Sequence, residues 1–437
     1  MRTTDNNGGR NISDFLNLNI DDISFLANKN LVDLQKENSD LLIFPQTLGK
    51  YHDDIEKSNI FSLDEEKLTT NNLMGFVGRN TSQLTISSRF AKDDNNDYFL
   101  HYMLQKVFSL NILKFDQTPN KENIWDFLIY LFPFYLKKAY SQGIYKAYRK
   151  QDYNDANLKG AINIKRHISK NIRFTGNIAY KTKEYSYDNL ITQLVRHTVE
   201  YIRQHPNANG VLTADAEIRD IVNKFNFATQ NTYRKSNRHK IISMNLRPVS
   251  HPYFTEYRML QQICLKILRT EKLTFGQEKN KVYGLLFDGA WLWEEYLNVL
   301  LKDDFIHPEN KTGKNRYYLF ENSQPIYPDF ISKSDPKIVG DAKYIPLDRQ
   351  NSYTENSERA VSIYYKTISY MYRFSSEYGV LIFPHRDTSF IKINKIKETR
   401  GLIKKIGLAV PQNARNFIDF KEVMCQNEDR LKENLYR

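Results

Sequence analysis

The chain has 437 residues, of which 63 are Lys or Arg and 51 are Asp or Glu, and its formal net charge is +12. This length predicts two or three domains, and an apolar fraction of 41% is sufficient to fill their cores. Cys264 and Cys425 are far apart and lack metal-ligand spacing, which excludes a disulfide framework and a structural zinc and favours a reducing cytoplasm. The first residues lack the apolar segment of a secretory signal, and the longest apolar run, residues 127–136, is too short to span a bilayer, so no membrane partner is expected.

The charge is unevenly distributed. Residues 1–70 carry 13 acidic and 7 basic side chains, a net of −6, so the remaining chain carries +18. A basic body suggests an anionic partner such as DNA, although many basic proteins bind no nucleic acid.

The N-terminal part of the chain mixes short strands and helices. Residues 1–12 are polar and glycine-containing and are predicted to be disordered. Residues 41–45 form a strand candidate, and residues 75–87 read as a β-hairpin around a polar turn at residues 79–83. This turn is a candidate for an element that projects toward a partner, and a plain sheet edge is the alternative. Helical spacing of apolar and aromatic residues then predicts helices over 98–116 and 122–150.

A basic segment follows. Residues 141–183 hold ten Lys and Arg against two acidic residues, and this segment is a DNA backbone track, a surface facing a partner subunit, or a solvated face. A helix is predicted over 184–203, with Asp188 and Asn189 as its cap. The segment Pro248 to Pro252 is typical of a linker, and a helix is predicted after it with Leu260, Ile263, Ile267 and Leu268 as its apolar stripe. We therefore divide the chain into residues 1–250 and 251–437.

Two carboxylates and a lysine occur in a short stretch of the C-terminal part. Asp329 follows a proline and opens a short apolar run, and Asp341 and Lys343 lie two residues apart on the next predicted strand, on the same face. If these strands pair as a hairpin, Asp329 lies beside Asp341. Carboxylate oxygens suit Mg²⁺, which can activate water and offset charge on a phosphodiester, and a nearby lysine can orient that water. An ordinary hairpin with exposed charges is the alternative interpretation.

The spacing Pro328-Asp329 followed by Asp341-Ala342-Lys343 resembles the PD-(D/E)xK nuclease motif. Residues 285–301 read as a buried helix that contains Glu294 and Glu295, and nucleases of this kind often carry a glutamate on a helix before the core hairpin. A tyrosine-rich helix over 362–374 and a buried strand over 380–384 follow the motif. Helix, hairpin, helix and strand is the order that the resemblance implies.

The order and motifs together resemble the McrC family, the nuclease subunit of McrBC-type modification-dependent restriction systems. Further matching stretches are Gly143 with Tyr148, residues 158–163, residues 185–189, and Tyr257 with Leu260. The resemblance covers roughly residues 70–390. One position departs from it, since many relatives carry Tyr-Gln on the helix after the core where this chain has Tyr364-Tyr365. No role of that glutamine is carried over.

The resemblance implies a mixed α/β protein with an N-terminal mixed β/α partner-binding region over residues 1–250 and a C-terminal PD-(D/E)xK restriction-endonuclease-like core over residues 251–437. It implies Mg²⁺ held by Asp329, Asp341 and Glu294, with Lys343 in the catalytic set, and it favours Glu294 over Glu295. The implied partners are double-stranded, methylated DNA and an McrB-like AAA+ GTPase ring, which must be a separate protein because this sequence contains no P-loop motif. A non-catalytic assembly or DNA-binding subunit, and a stand-alone repair or transposition nuclease, remain the alternatives.

Overall fold

The structure is a computed structural model that describes most of the chain. The described residues are 2–15, 19–38, 41–45, 58–80, 82–91, 97–108, 121–205, 208, 210–213, 215–269, 282–308, 317–321, 323–348, 358–386 and 389–436.

Strands and helices alternate along these segments. The strands are β1 Arg2–Thr4, β2 Arg10–Asn11, β3 Leu41–Phe44, β4 Phe61–Asp64, β5 Lys67–Thr70, β6 Leu73–Arg79, β7 Ser82–Ser87, β8 Ala147–Asp155, β9 Ala161–Ile162, β10 Ile178–Ser186, β11 Val282–Asp288, β12 Phe305–Ile306, β13 Tyr317–Phe320, β14 Ser323–Ile326, β15 Phe330–Ser332, β16 Ile338–Ala342, β17 Tyr378–Arg386, β18 Phe390–Lys395 and β19 Leu402–Val410. The helices are α1 Ile20–Leu26, α2 Leu31–Glu37, α3 Tyr98–Val107, α4 Lys121–Tyr140, α5 Ile164–Lys170, α6 Leu190–Gln204, α7 Ala216–Thr229, α8 Arg238–Met244, α9 Tyr257–Arg269, α10 Gly289–Leu301, α11 Glu358–Arg373 and α12 Phe417–Tyr436. The predicted mixed α/β class is confirmed.

The chain folds into two compact units. One unit combines residues 1–110 with residues 275–437, and the other consists of residues 111–274. The predicted domain division between residues 250 and 251 stays a prediction.

The first unit contains a five-stranded sheet in the order β1-β7-β6-β11-β3. Strand β1 runs parallel to β7, so the first residues are part of the sheet and the prediction of disorder over 1–12 is wrong. The reason is that Asp5, just after β1, is fully buried and forms an ion pair with Arg89, and its carboxylate also accepts a hydrogen bond from the Arg89 backbone N–H at 2.5 Å. The polar N-terminus is thereby anchored by the Asp5 carboxylate, and its partner Arg89 is too distant in sequence to be recognised from the local pattern.

The predicted hairpin over 75–87 is confirmed, but its strands lie inside this sheet and not at an edge, since β11 flanks β6 and β1 flanks β7. Its turn is held against α1. The Asp22 carboxylate, which is buried, accepts hydrogen bonds from Arg79 at 3.3 Å and from Asn80 at 2.6 Å. These contacts tie the described part of the turn to α1, and its role as an element that projects toward a partner stays a prediction.

The first unit also contains a six-stranded sheet in the order β12-β15-β16-β17-β19-β18. Strands β16, β17 and β19 are parallel, and α11 connects β16 to β17. Met371 of α11 packs with Leu381 and Ile403, so the helix covers one face of the sheet. The predicted strand over 380–384 lies within β17, and the predicted helix over 362–374 lies within α11 except for its last residue.

Helix α10 begins later than predicted. Residues 282–288 form the fully buried strand β11, and the Asp288 carboxylate caps α10 by accepting from the Ala290 N–H at 3.0 Å. A buried strand and a buried helix share a continuous apolar pattern, so periodicity cannot locate their junction. At its other side α10 is tied to α12, because the buried Glu428 carboxylate accepts from the Tyr296 hydroxyl at 2.6 Å and from the Tyr102 hydroxyl of α3 at 2.7 Å.

The second unit consists of α4 to α9 with a three-stranded sheet in the order β8-β10-β9. Helix α4 ends at Tyr140 and residues 147–155 form a strand, so the helix predicted over 122–150 is too long. Gly143, at φ +86°, turns the chain between the helix and the strand.

Asn189 caps α6 as predicted, and the Thr192 side chain completes a reciprocal capping box. Residues 184–186 of the predicted helix belong to β10 instead. The predicted apolar stripe of α9 is buried. Residues 109–116 of the other predicted helix lie outside the described residues.

Because β6 packs closely on β11, we expect that Gly75 cannot be replaced by a larger residue without loss of stability. This residue has φ +127°, and a Cβ there would lie 2.1 Å from the Leu285 carbonyl oxygen. Gly75→Ala should therefore lower the free energy of unfolding by about 3 kcal/mol through backbone strain and overpacking. Urea denaturation followed by circular dichroism measures this loss. Gly8→Ala is the matched control, since Gly8 also has a positive φ but open space around it, and an equal loss in both variants would contradict the packing argument.

Candidate active site

The hairpin of β15 and β16 brings the two predicted aspartates together. The strands are antiparallel, with Phe330 opposite Gly340. Continuing this register by one residue places Asp329 across from Asp341. The expectation that a hairpin would set these residues side by side is therefore confirmed by the backbone pairing.

Asp341 lies in the interior of the six-stranded sheet. Its side chain is 2% exposed, so its carboxylate needs a compensating charge or donor. The Lys343 ammonium provides the charge through an ion pair with Oδ2 of Asp341. This contact lacks hydrogen-bond geometry, and Oδ2 receives no hydrogen bond from any described residue. Lys343 is itself positioned by its backbone N–H, which donates to the Ile382 carbonyl of β17 at 2.8 Å.

Asp329 reaches the surface in part, but its carboxyl group lies in a buried environment. Its Oδ2 accepts a hydrogen bond from the Ala342 backbone N–H at 2.7 Å. The pKa of Asp329 is raised well above its usual range, first by burial and then by the negative charges of Asp341 and Glu294, while the Lys343 ammonium opposes the rise. The site therefore has more negative charge than its single lysine offsets.

Glu294 approaches the same place from α10. Its Oε1 lies 3.7 Å from Nε2 of His307, and it contributes to the raised pKa of Asp329. His307 also contacts the hairpin, because its Nδ1–H donates to the Asp329 carbonyl oxygen at 2.8 Å and its ring packs on Phe330. His307 thus links the glutamate to the first aspartate. The choice of Glu294 over Glu295 as a site residue stays a prediction.

The chain after Lys343 is anchored in the five-stranded sheet of the same unit. Tyr344 is 4% exposed, and its hydroxyl is hydrogen-bonded to Ser88 Oγ at 2.7 Å. Its ring packs edge-on against Phe90. This anchor fixes the exit of β16 and so limits the movement of the neighbouring lysine.

Sequence reasoning missed two residues at this site, His307 and Tyr370. His307 is an isolated histidine after a two-residue strand, and no motif marks it. Tyr370 is one of several tyrosines on α11, and its position toward the hairpin depends on how that helix packs. Neither residue could have been selected without the tertiary arrangement.

The donor set of this site suits a hard cation. Among the described residues, no three His, Cys, Asp or Glu side chains form a ready-made ligand cluster. Mg²⁺, however, usually takes one or two protein carboxylates and completes its shell with water and substrate oxygens. The Asp329–Asp341 pair, with Glu294 near it and one lysine to offset these charges, therefore fits Mg²⁺.

The basic segment predicted from the sequence lies in the second unit. Lys165, Arg166 and Lys170 are on α5, where Arg166 donates to the Tyr153 carbonyl oxygen at 3.1 Å and is thereby fixed against β8. Across the described residues, no helix is both long enough and apolar enough to cross a membrane.

Comparison with known protein families gives a match over most of the chain. The family described as McrBC 5-methylcytosine restriction system component matches residues 68–384, well over half of the chain. The chain belongs to this McrBC family. The resemblance identified from the motifs is thereby confirmed. No curated protein matches the chain.

Two solved structures align with the structure of this McrBC family member. A chain of the refined half-complex from the tetradecameric assembly of Thermococcus gammatolerans McrB AAA+ hexamers with bound McrC is 16% identical, with a TM-score of 0.50 over 99% of each chain. The cryo-EM structure of the Thermococcus gammatolerans McrBC complex contains a chain that is 16% identical, with a TM-score of 0.32 over 69% of this chain and 87% of that one. At this identity the first similarity supports the fold alone.

The contact of His307 with the Asp329 carbonyl predicts a positioning role. His307→Ala should weaken Mg²⁺ binding about 10-fold, because partners that orient metal ligands typically contribute this much. His307→Asn keeps a donor near the position of Nδ1 and should restore most of the affinity. Isothermal titration with Mg²⁺ measures both, and His239→Ala, at an exposed histidine in the second unit, is the control. Equal affinity in wild type and His307→Ala would contradict the role.

Proposed function

We propose that this chain is the nuclease subunit of a modification-dependent, 5-methylcytosine-type restriction system that defends against foreign DNA by cleaving phosphodiester bonds of double-stranded DNA. The observation that carries the proposal is the β15–β16 hairpin, which sets Asp329 beside Asp341 with the Lys343 ammonium on the second carboxylate. Membership of the McrBC family supports the biological system, and the geometry supports the chemistry.

We assign Asp329 and Asp341 as the residues that would hold Mg²⁺, with Glu294 as a third carboxylate near them. When bound, Mg²⁺ supplies positive charge against the phosphodiester oxygens and makes a nearby water easier to deprotonate. The chain holds Asp329 in place through the Ala342 N–H and through His307. A rigid pair of carboxylates lowers the reorganisation that the reaction requires.

Lys343 acts on the phosphodiester electrostatically. Its ammonium carries three donors and a positive charge, and the ion pair with Asp341 keeps it beside the carboxylates. In this position it can orient the attacking water and stabilise negative charge that develops on the phosphate oxygens. Its backbone bond to β17 and the Tyr344 anchor keep this geometry before substrate binds.

The order α10, β15–β16, α11 and β17 supports assignment of this part of the chain as a PD-(D/E)xK core. Tyr365, where relatives carry glutamine, is 68% exposed on α11. An exposed tyrosine does not replace a glutamine that contacts reacting groups. We therefore propose catalysis through the hairpin residues without a contribution from position 365.

If DNA is cleaved at this site, two substitutions in it should reduce cleavage. Asp341→Asn should abolish cleavage, because it removes a carboxylate that would hold Mg²⁺. Lys343→Ala should lower the single-turnover rate on the order of 100-fold, because it removes a positive charge that stabilises the transition state. The assay uses a 5-methylcytosine-containing duplex with Mg²⁺ and the partner motor. Lys337→Ala, at the opposite end of the same hairpin, is the matched control and should cleave normally. Near-normal cleavage by Lys343→Ala would show that the reaction occurs elsewhere.

The second part of the proposal concerns a partner. The Thermococcus gammatolerans assembly contains McrB AAA+ hexamers with bound McrC. We infer that this chain likewise engages an McrB-like AAA+ GTPase ring and stimulates its GTP hydrolysis. Residues 1–250 are the proposed region for this contact.

A face of the second unit is suited to such a contact. Several large apolar side chains on and around α5 and the β8-β10-β9 sheet are exposed, including Ile164, Ile168, Ile172 and Phe174. Apolar side chains clustered on a surface usually mark an interaction site. Basic side chains lie among them, since Lys165 and Lys170 are exposed on α5 itself. We propose this face as a partner contact alongside the β6–β7 turn, whose described residues are bound to α1.

This assignment predicts a defect in stimulation without a defect in folding. Ile172→Ser and Phe174→Ser should each lower stimulated GTP hydrolysis by about 10-fold, because a buried apolar contact of this size contributes about 1.5 kcal/mol or more. Their melting temperatures should not change, since both side chains are exposed. Phe227→Ser is the matched control, as Phe227 is equally exposed on α7 of the same unit. A similar loss in all three variants, or no loss in any, would contradict the assignment.

A further inference from the structure

Tyr370 is a buried tyrosine on the face of α11 that covers the active-site hairpin. Its side chain is 2% exposed and packs with Ile326 and Val339. Val339 lies two residues before Asp341 on β16, so both side chains leave the same face of the strand. The tyrosine ring is therefore held directly beside the strand that carries the second aspartate.

The hydroxyl of Tyr370 has no hydrogen-bond partner among the described residues. The Tyr327 backbone amide lies near it and opposes the rise of its pKa, but does not reach hydrogen-bond geometry. A buried hydroxyl without a partner destabilises a fold, and phenylalanine would fill the same space without this cost. A polar group kept under these conditions points to a partner that arrives with the substrate.

The charges around this hydroxyl indicate which role it can take. Its pKa is raised, first by burial and then by the negative charges of Asp341 and Asp329, while Lys343 opposes the rise. The hydroxyl consequently stays protonated at neutral pH and can donate a hydrogen bond, and it is unsuited to act as a base. The packing of the ring against Val339, which shares a face of β16 with Asp341, puts Tyr370 on the same side of the sheet as that carboxylate.

We propose that the Tyr370 hydroxyl donates a hydrogen bond to a non-bridging oxygen of the scissile phosphodiester. This inference rests on the proposed nuclease function. A phosphate group brings acceptor oxygens to a site whose carboxylates are themselves acceptors, so it needs donors from the chain. Lys343 is one such donor, and Tyr370 is a second that approaches from α11. The bond would strengthen as negative charge develops on the oxygen during attack.

The test compares Tyr370→Phe with Tyr364→Phe, the same substitution six residues earlier on α11. The Tyr364 hydroxyl accepts a hydrogen bond from Asn394 Nδ2 at 3.2 Å, so its loss should lower the melting temperature slightly and leave cleavage unchanged. Tyr370→Phe should lower the single-turnover rate constant about 10- to 100-fold, as expected for a hydrogen bond to a charged group, with the half-saturating DNA concentration nearly unchanged. Its melting temperature should be unchanged or higher, because an unpaired buried hydroxyl has been removed.

The outcomes separate this inference from the proposed function. If the wild type cleaves methylated duplex with its partner and Tyr370→Phe cleaves equally fast, the inference is wrong and the nuclease proposal stands. A slower Tyr370→Phe whose melting temperature also falls would assign the hydroxyl a structural role and overturn the inference. A wild type that cleaves no DNA under these conditions would overturn both.

Discussion

The repulsion between Asp329 and Asp341 is the constraint on which the site depends. Backbone pairing holds these residues across a hairpin, and two like charges at a cross-strand separation of about 5 Å repel by roughly 3 kcal/mol at an effective dielectric constant of 20. The pKa of Asp329 is raised first by burial and then by this repulsion. One lysine offsets part of it. A second positive charge would stabilise the pair further, and that is the physical reason for assigning a divalent cation to this place.

The remainder of the first unit keeps this unfavourable arrangement in place. Strands β15 and β16 lie between β12 and β17, so the carboxylates cannot separate by a shift of the hairpin alone. Tyr344 ties the end of β16 to Ser88, and Glu428 ties α10 to α3 and α12 through buried hydroxyls. The N-terminal residues contribute too. Strand β1 pairs with β7, which ends just before Ser88, and Asp5 binds Arg89 just after it. Residues distant in sequence thus share one rigid support, which suits a site that must hold like charges together.

The sequence was informative where spacing determines geometry. The two-residue spacing of Asp341 and Lys343 and the short apolar run opened by Asp329 were sufficient to predict the hairpin and its shared face. Contacts between distant segments could not be predicted. Asp5 anchors a terminus that looks disordered, and His307 and Tyr370 reach the hairpin only through the packing of neighbouring elements. The junction of β11 and α10 was misplaced because both elements are buried and apolar, and the β6–β7 turn looked free because its ion pair with Asp22 spans more than fifty residues.

The central claim is that the Asp329–Asp341 pair holds a divalent cation. Crystals of the chain soaked in Mn²⁺, measured at the manganese absorption edge, test it most directly, because anomalous scattering locates the ion independently of any activity. An anomalous peak is expected within about 2.5 Å of carboxylate oxygens from both residues, a distance in the range of divalent cations bound by oxygen. The same peak should be absent in Asp341→Asn. A wild-type map with no peak at this pair, or with its peak at other residues, would contradict the account.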